Sequence, residues 1–166
     1  IEAADGVTAV RIHMVNTASI AVASVQTPGR RVSYAGSARI DGVPGTAAPV
    51  SLDFLDVVGS SCGALLPTRS VCDRIDGVDI TCIDNGMPMV LFRAGDMGKT
   101  GYESVAQLNE DTELKTKVES LRLHASQLMG LGDVSKKNYP KMCLISAPRE
   151  GGSICTRCFI PHVCHD

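Results

Sequence analysis

Tryptophan is absent, and aromatic residues make up only 4% of the 166-residue chain. A core assembled from this sequence must therefore be aliphatic. Lys/Arg-rich runs are also missing, and the formal net charge is −2. Nucleic acid and anionic membrane surfaces thus lack the basic footprint that attracts them. No apolar run approaches the roughly 20 residues of a membrane-spanning helix. Nor does a nucleotide-binding glycine pattern occur: Gly130 and Gly132 lack a third glycine and close a helical segment instead of opening one.

What is present describes an ordered chain. Hydrophobic residues are 44% and charged residues 20%, close to globular averages. The length suits one domain or two small lobes. Seven cysteines, Cys62, Cys72, Cys82, Cys143, Cys155, Cys158 and Cys164, fall largely within apolar, strand-like runs. They are expected to be structural thiols in a reducing, cytoplasmic setting. The first residue is Ile and the last are His165 and Asp166, which suggests an internal piece of a longer protein.

Alternation predicts most of the strands. Val10, Ile12 and Met14 alternate with Arg11 and His13, placing a strand over Val7–Val15, turned by Asn16–Ser19. Ile20–Val25 follows, then a turn at Thr27–Arg30 and a weaker strand over Val32–Ile40, together an antiparallel meander. Asp41–Pro49 is a Gly- and Pro-containing loop, and Val50, Leu52 and Phe54 alternate as a further strand. Another small-residue loop runs over Gly59–Thr68, and the pattern restarts at Asp73–Gly77, the expected lobe boundary. That divides the chain into 1–74 and 75–166.

The stretch Val78–Phe92 reads as two strands, Val78–Ile83 and Met89–Phe92, around Asp84-Asn85-Gly86-Met87-Pro88. Asn-Gly tolerates positive φ and Pro88 fixes its own φ, so a tight, backbone-exposing corner is expected. Such a corner is either an ordinary turn or a place to hold a small anion. Ser104 with Gln107 forms a capping box. Asp111 then caps the clearest helix, whose apolar face is Leu114, Val118, Leu121, Ala125 and Leu128, with His124 on its flank. Asp111–Lys115 and Glu113–Lys117 are the expected i,i+4 pairs, and Gly130 or Gly132 ends the helix. Strands over Met142–Ala147 and Ser153–Ile160, joined by a turn at Arg149–Gly152, complete the pattern. Strands outnumber helices without regular βαβ alternation, so the class is mixed α/β (α+β) with mostly antiparallel sheets.

Three chemistries compete in the second half. Cys155, Cys158, His162, Cys164 and His165 invite a zinc site, yet Cys155 and Cys158 sit three apart in a strand and point to opposite faces. Cys158 or Cys164 near His162 could form a nucleophilic pair, but seven cysteines in apolar settings single out none. A carboxylate pocket could gather Lys141, Arg157, His162 and the Asn85-Gly86 corner, because Arg offers a fork and turns offer N–H donors. Solvated rim charges are the alternative for Lys141 and Arg157.

Seven segments, in order, resemble the PrpF family: Asp41–Pro49, Ser61–Thr68, Val78–Val90, Gly101–Glu103, Met129–Val134, Pro140–Cys143 and Arg157–His162. Departures are Arg69, where glycine is frequent, and Cys158, where another small residue is usual. The family contains 2-methylaconitate cis–trans isomerases and 4-oxalomesaconate tautomerases. Val78–Val90 and Arg157–His165 are most similar to the tautomerase branch. The resemblance implies a diaminopimelate-epimerase-like fold, with sheets wrapped around central helices in two lobes and a site in the cleft between them. It implies an isomerase performing a metal- and cofactor-free 1,3-proton shift on a small di- or tricarboxylate, with a homodimer allowed. The implied Lys and Cys acid/base pair does not match any residue here, so no catalytic residue is assigned. The implied substrate-binding residues are Asn85, Gly86, Met87, Pro88, Lys141, Arg157, His162 and His165, the last two near a helix N-terminus that the chain stops short of. By itself this 166-residue piece is expected to be inactive.

Overall fold

A computed structural model of the chain describes residues 2–15, 19–40, 42–149 and 151–165. The chain divides into two compact units, Ile1–Val57 and Val58–Asp166. The division precedes the Asp73–Gly77 turn, because the loop after Val58 is bonded to the second unit: Gly59 N donates to the Asp84 carbonyl at 2.8 Å, and Asp84 N donates to the Leu65 carbonyl at 2.8 Å.

The first unit is a three-stranded antiparallel sheet of β1 (Gly6–Met14), β2 (Ser19–Thr27) and β3 (Val50–Phe54), in that order. The meander is as expected, but its third strand is not Val32–Ile40. Val25 pairs with Val50 and Ala21 with Phe54, so the alternating apolar run at 50–54 takes the edge of β2. Residues 32–40 form a loop with one isolated bridge, Ala38 to Ala47. Val32, Tyr34 and Ile40 stay exposed, so this stretch has no apolar surface to drive pairing. Small Ala21 and Ala23 are buried at the middle of the sheet. Thr8 and Thr27 are buried too, their hydroxyls 2.7 Å apart. Among the described residues of this unit there is no α-helix, so the expected wrapping of a sheet around a helix applies only to the second unit. The turn residues Asn16, Thr17 and Ala18 and the loop residue Asp41 lie outside the described residues.

The second unit is a six-stranded sheet packed on helices. Its strands are β4 (Asp73–Ile75), β5 (Val78–Asp84), β6 (Pro88–Arg93), β7 (Lys141–Ser146), β8 (Cys155–Phe159) and β9 (Cys164–His165), adjacent in chain order. The helices α1 (Val105–Glu110) and α2 (Thr112–Leu128) carry the chain from β6 to β7. Because of that crossover β6 and β7 are parallel, while the other neighbours are antiparallel. The result is a mixed α+β architecture with few helices. The sheet core is aliphatic apart from Phe92 and Phe159: Ile80, Cys82, Val90, Met142 and Leu144 meet Leu114, Val118, Leu121 and Ala125 of α2. No helix among the described residues is long and apolar enough to cross a membrane.

Local signals hold at the helix ends. Gln107 N donates to Ser104 Oγ at 3.2 Å and Ser104 N donates to Gln107 Oε1 at 2.9 Å, closing the capping box. Leu114 N donates to Asp111 Oδ1 at 2.9 Å. Glu113 and Lys117 pair at 2.7 Å, but Asp111 pairs with Lys99 instead of Lys115. Gly130 follows the last turn at φ +72°, where Leu131 N reaches back to the Ser126 carbonyl at 2.9 Å. Two positions of the apolar face change: Leu128 is exposed, and Arg122 is fully buried. His124 is exposed on the flank, with Nδ1 3.2 Å from Asp76 Oδ2.

Candidate functional site

Three connections meet at one end of the six-stranded sheet. β5 closes at Asp84, opposite Pro88 at the start of β6. β7 runs parallel to β6 with Lys141 level with Met89, so Tyr139–Lys141 enters at that same end. β8 leaves there as well, since Phe159 pairs with Met142 on one side and Cys164 on the other. The tight turn between β8 and β9 is closed by Ile160 N donating to the Val163 carbonyl at 2.9 Å. The parallel crossover causes this convergence. Had β7 been antiparallel to β6, Lys141 would have stood at the far end.

The corner itself is anchored by a residue that sequence reasoning passed over. Asp84 occupies the core-facing register after Ile80 and Cys82 and is fully buried. Its Oδ2 accepts from Ser61 N at 2.8 Å and Cys62 N at 2.7 Å. Its position in the alternation, an acid where an apolar residue belongs, is the signal that could have found it. Those bonds fix the loop beside the corner, and Val58 bridges to Asn85. Gly59-Ser60-Ser61-Cys62-Gly63 has the spacing of a nucleophile elbow, but no helix follows it, so it does not present Ser61 as one. Burial, followed by the charge and hydrogen bond of Asp84, pushes the Cys62 thiol up to about 11, an inert thiol at neutral pH. Beyond Asp84 the backbone turns through Gly86 at φ +90°, a conformation that costs a side-chain-bearing residue. Asn85, Gly86 and Met87 are exposed and Pro88 is buried.

Lys141 opens β7 half-buried, and among the described residues it makes no hydrogen bond or ion pair. Met142, Leu144, Phe159 and Cys164 face the core, so alternation puts Lys141, Cys143, Cys158 and His165 on the opposite face. Cys158 lies between Cys143 and His165 in the ladder. Burial raises the Cys158 thiol, and the charge of Lys141 opposes that rise. His162 stands in the β8–β9 turn, half exposed, with Nδ1 3.3 Å from Glu119 Oε2 of α2. The corner, Lys141 and His162 therefore share one end of the sheet, and His165 adjoins it on β9.

Arg157 does not join them. It pairs with Leu144 in mid-strand, and its guanidinium is spent on the carbonyls of Glu103 and Thr156, each at 3.1 Å. Glu103 belongs to the segment packed at the opposite end, where its carboxylate accepts from Thr100 N, Thr100 Oγ1 and Gly101 N at 2.8–2.9 Å. Burial would raise the Glu103 carboxyl, but these bonds outweigh it and bring the value down to about 2. Cys155 also faces that segment, with Sγ 3.8 Å from the Gly101 carbonyl, so Cys155 and Cys158 lie on different faces. Cys164 and His165 extend the sheet as a strand. Among the described residues no group of three or more His, Cys, Asp and Glu side chains could hold a metal ion. A surface of main-chain turns with one ammonium and one imidazole is suited to a small carboxylated molecule.

The chain is similar to known proteins over most of its length. The PrpF protein family matches residues 1–161. A 4-oxalomesaconate tautomerase from Pseudomonas putida is 58% identical over 158 residues, covering 95% of this chain and 44% of its own length. A (4E)-oxalomesaconate Delta-isomerase from Novosphingobium sp. is 54% identical, with the same coverage of 95% and 44%. The crystal structure of a methylitaconate-delta-isomerase superposes with a TM-score of 0.87 at 26% identity, over 99% of this chain and 49% of that one. The chain spans less than half the length of each of these relatives.

Proposed function

The chain belongs to the PrpF family, and from that premise we propose that it supplies the carboxylate-binding half of a 4-oxalomesaconate tautomerase. The observation that carries this is the 58% identity to such a tautomerase over 95% of the chain. The reaction is a cofactor-independent keto/enol interconversion. A proton leaves the carbon beside the keto group, the electron pair delocalises onto the oxygen as an enolate, and that oxygen takes up a proton to give the enol. The net proton count is unchanged. A ligand held through its carboxylates by the Asn85–Pro88 turn, Lys141 and His162 would keep its reacting carbons at a fixed height above the sheet end. Positive groups there offset the charge that grows on the enolate oxygen. Arg157, bonded to main-chain carbonyls, supports the scaffold of β8. His165, beside Cys158, borders the site.

The acid and base that move the proton are not assigned within this chain. The 166 residues alone are accordingly expected to bind tricarboxylate without turnover, and the same sequence in a protein of the relatives' length to catalyse. Breakdown of aromatic acids is the metabolic setting this substrate suggests, in the cytoplasm. Ultraviolet monitoring of 4-oxalomesaconate, with a protein of the relatives' length that contains this sequence, is the test. A rate no greater than the uncatalysed one overturns the proposal. Isomerisation of a 2-methylaconitate-type substrate is the second reading, supported by the superposition on a methylitaconate-delta-isomerase. Assaying both substrates side by side separates them.

A further inference from the structure

Among the described residues Arg122 is the one buried arginine, and it lies on α2 within the aliphatic core. Its Nε donates to Glu119 Oε2 at 2.7 Å and Nη2 donates to Glu119 Oε1 at 2.8 Å, a two-pronged pair one helical turn long. Nη1 donates to the carbonyls of Lys137 at 3.2 Å and Tyr139 at 2.9 Å, and both terminal nitrogens reach the Val134 carbonyl at 3.1 Å. Every nitrogen of the guanidinium is thus engaged. The carbonyls it collects belong to the segment that delivers Lys141 to the sheet. Glu119, one quarter exposed, does a second thing: the same Oε2 that meets Arg122 also lies 3.3 Å from His162 Nδ1.

One carboxylate therefore joins the two connections that flank the sheet end, the Lys141 entry through Arg122 and the β8–β9 turn through His162. Burial alone would raise the Glu119 carboxyl, but its bond to Arg122, the charge of Arg122 and, to a smaller extent, His162 hold it below the ordinary range. An apolar pair of equal volume would serve the core at least as well as a buried ion pair. The ion pair's distinct property is geometric, because a guanidinium fork and a carboxylate fix directions that methyl groups cannot.

We propose that Glu119 is a positioning residue of the carboxylate site. With Nδ1 bonded to Glu119, the His162 ring presents Nε2 away from α2, where its N–H in the imidazolium form donates to a ligand carboxylate. Arg122 keeps Lys141 at the matching height. Glu119 acts through His162 and does not touch the ligand. This deepens the proposed carboxylate site and depends on it.

The test uses tricarballylate, a saturated and therefore unreactive tricarboxylate, titrated calorimetrically into the chain and into Glu119→Gln, His162→Gln and the double variant. Glu119→Gln is expected to weaken binding about tenfold, a ΔΔG of about 1.4 kcal/mol. On the His162→Gln background the same change is expected to cost less than about twofold, because the residue it positions is gone. Glu119→Asp is the second variant. It keeps the charge for Arg122 while its shorter arm leaves Nδ1, so binding falls with the melting temperature held. Equal losses on both backgrounds, or wild-type affinity in Glu119→Gln, overturn the inference while leaving the carboxylate site standing. Failure of the unaltered chain to bind tricarballylate overturns both. Binding with the expected coupling, but no tautomerase rate at full length, removes the activity and keeps the positioning role.

Discussion

The two ends of the six-stranded sheet differ in how their charges are used. At the far end Arg157, Glu103, Thr100 and the Gly101 amide are bonded to one another or to main chain within a few residues. Lys99 and Asp111 are paired beside them. Those groups pin a loop between β6 and α1. At the near end the bonded groups, Asp84, Glu119 and Arg122, stand back from the surface, and what they hold forward is an exposed turn, Lys141 and His162. Saturated polar groups build a scaffold, whereas supported but unsaturated ones can receive a ligand.

Substitutions can break or sharpen that contrast. The largest effect is expected from Arg122→Ala, which strands Glu119 and frees the carbonyls of Val134, Lys137 and Tyr139. Loss of one partner of a buried pair costs about 3–5 kcal/mol, so urea unfolding should shift strongly or the chain should fail to fold. Next comes Lys141→Gln, expected to weaken tricarballylate binding by about tenfold or more with an unchanged melting temperature, since a charge-assisted bond contributes about 1.5–3 kcal/mol. Arg157→Gln, its far-end counterpart, should leave that affinity within about twofold. Equal losses in the two variants would erase the distinction between the ends.

Gly86→Ala comes third. Forcing a side chain into φ +90° is expected to cost about 1 kcal/mol of stability and to weaken ligand binding through the displaced turn. The smallest effect on ligand affinity belongs to Glu103, whose contribution is to stability and is read from the acid limb of the curve. Its folded value of about 2 lies below the ordinary 4.5, so its stabilisation is fully present above about pH 4.5 and is lost as pH falls toward 2. Glu103→Gln should flatten that limb of a stability-against-pH curve and leave the near-end affinity at pH 7 unaltered.

Much of the second unit is legible as local chemistry. The strand pair around Asn85-Gly86, the Ser104 capping box, the Asp111 cap and the Gly130 stop depend on a residue's own backbone or on partners three to five positions away. The misreadings are non-local. Val32–Ile40 alternates weakly and loses its place beside β2 to Val50–Phe54. Leu128 continues the helical period but lies in the last turn, beyond the sheet, and is exposed. Arg122 has no apolar signature, and its burial follows from three carbonyls that the folded chain brings to it. Asn85–Pro88, Lys141, His162 and His165 are legible as turn, cation and imidazole, but the Glu119–Arg122 network behind them is not.

By itself the sequence determined an aliphatic core, strands of period two, one capped amphipathic helix and a corner that only glycine closes easily, because these follow from side-chain volume, polarity and backbone sterics at short range. The tertiary structure decided which strand ends coincide. That turns on the parallel crossover through α1 and α2, which brings Lys141 to the level of Met89 and the β8–β9 turn beside it. Pairing across such a span depends on burying one face of α2 against apolar residues of all six strands at once, a cooperative gain that no short window of sequence contains.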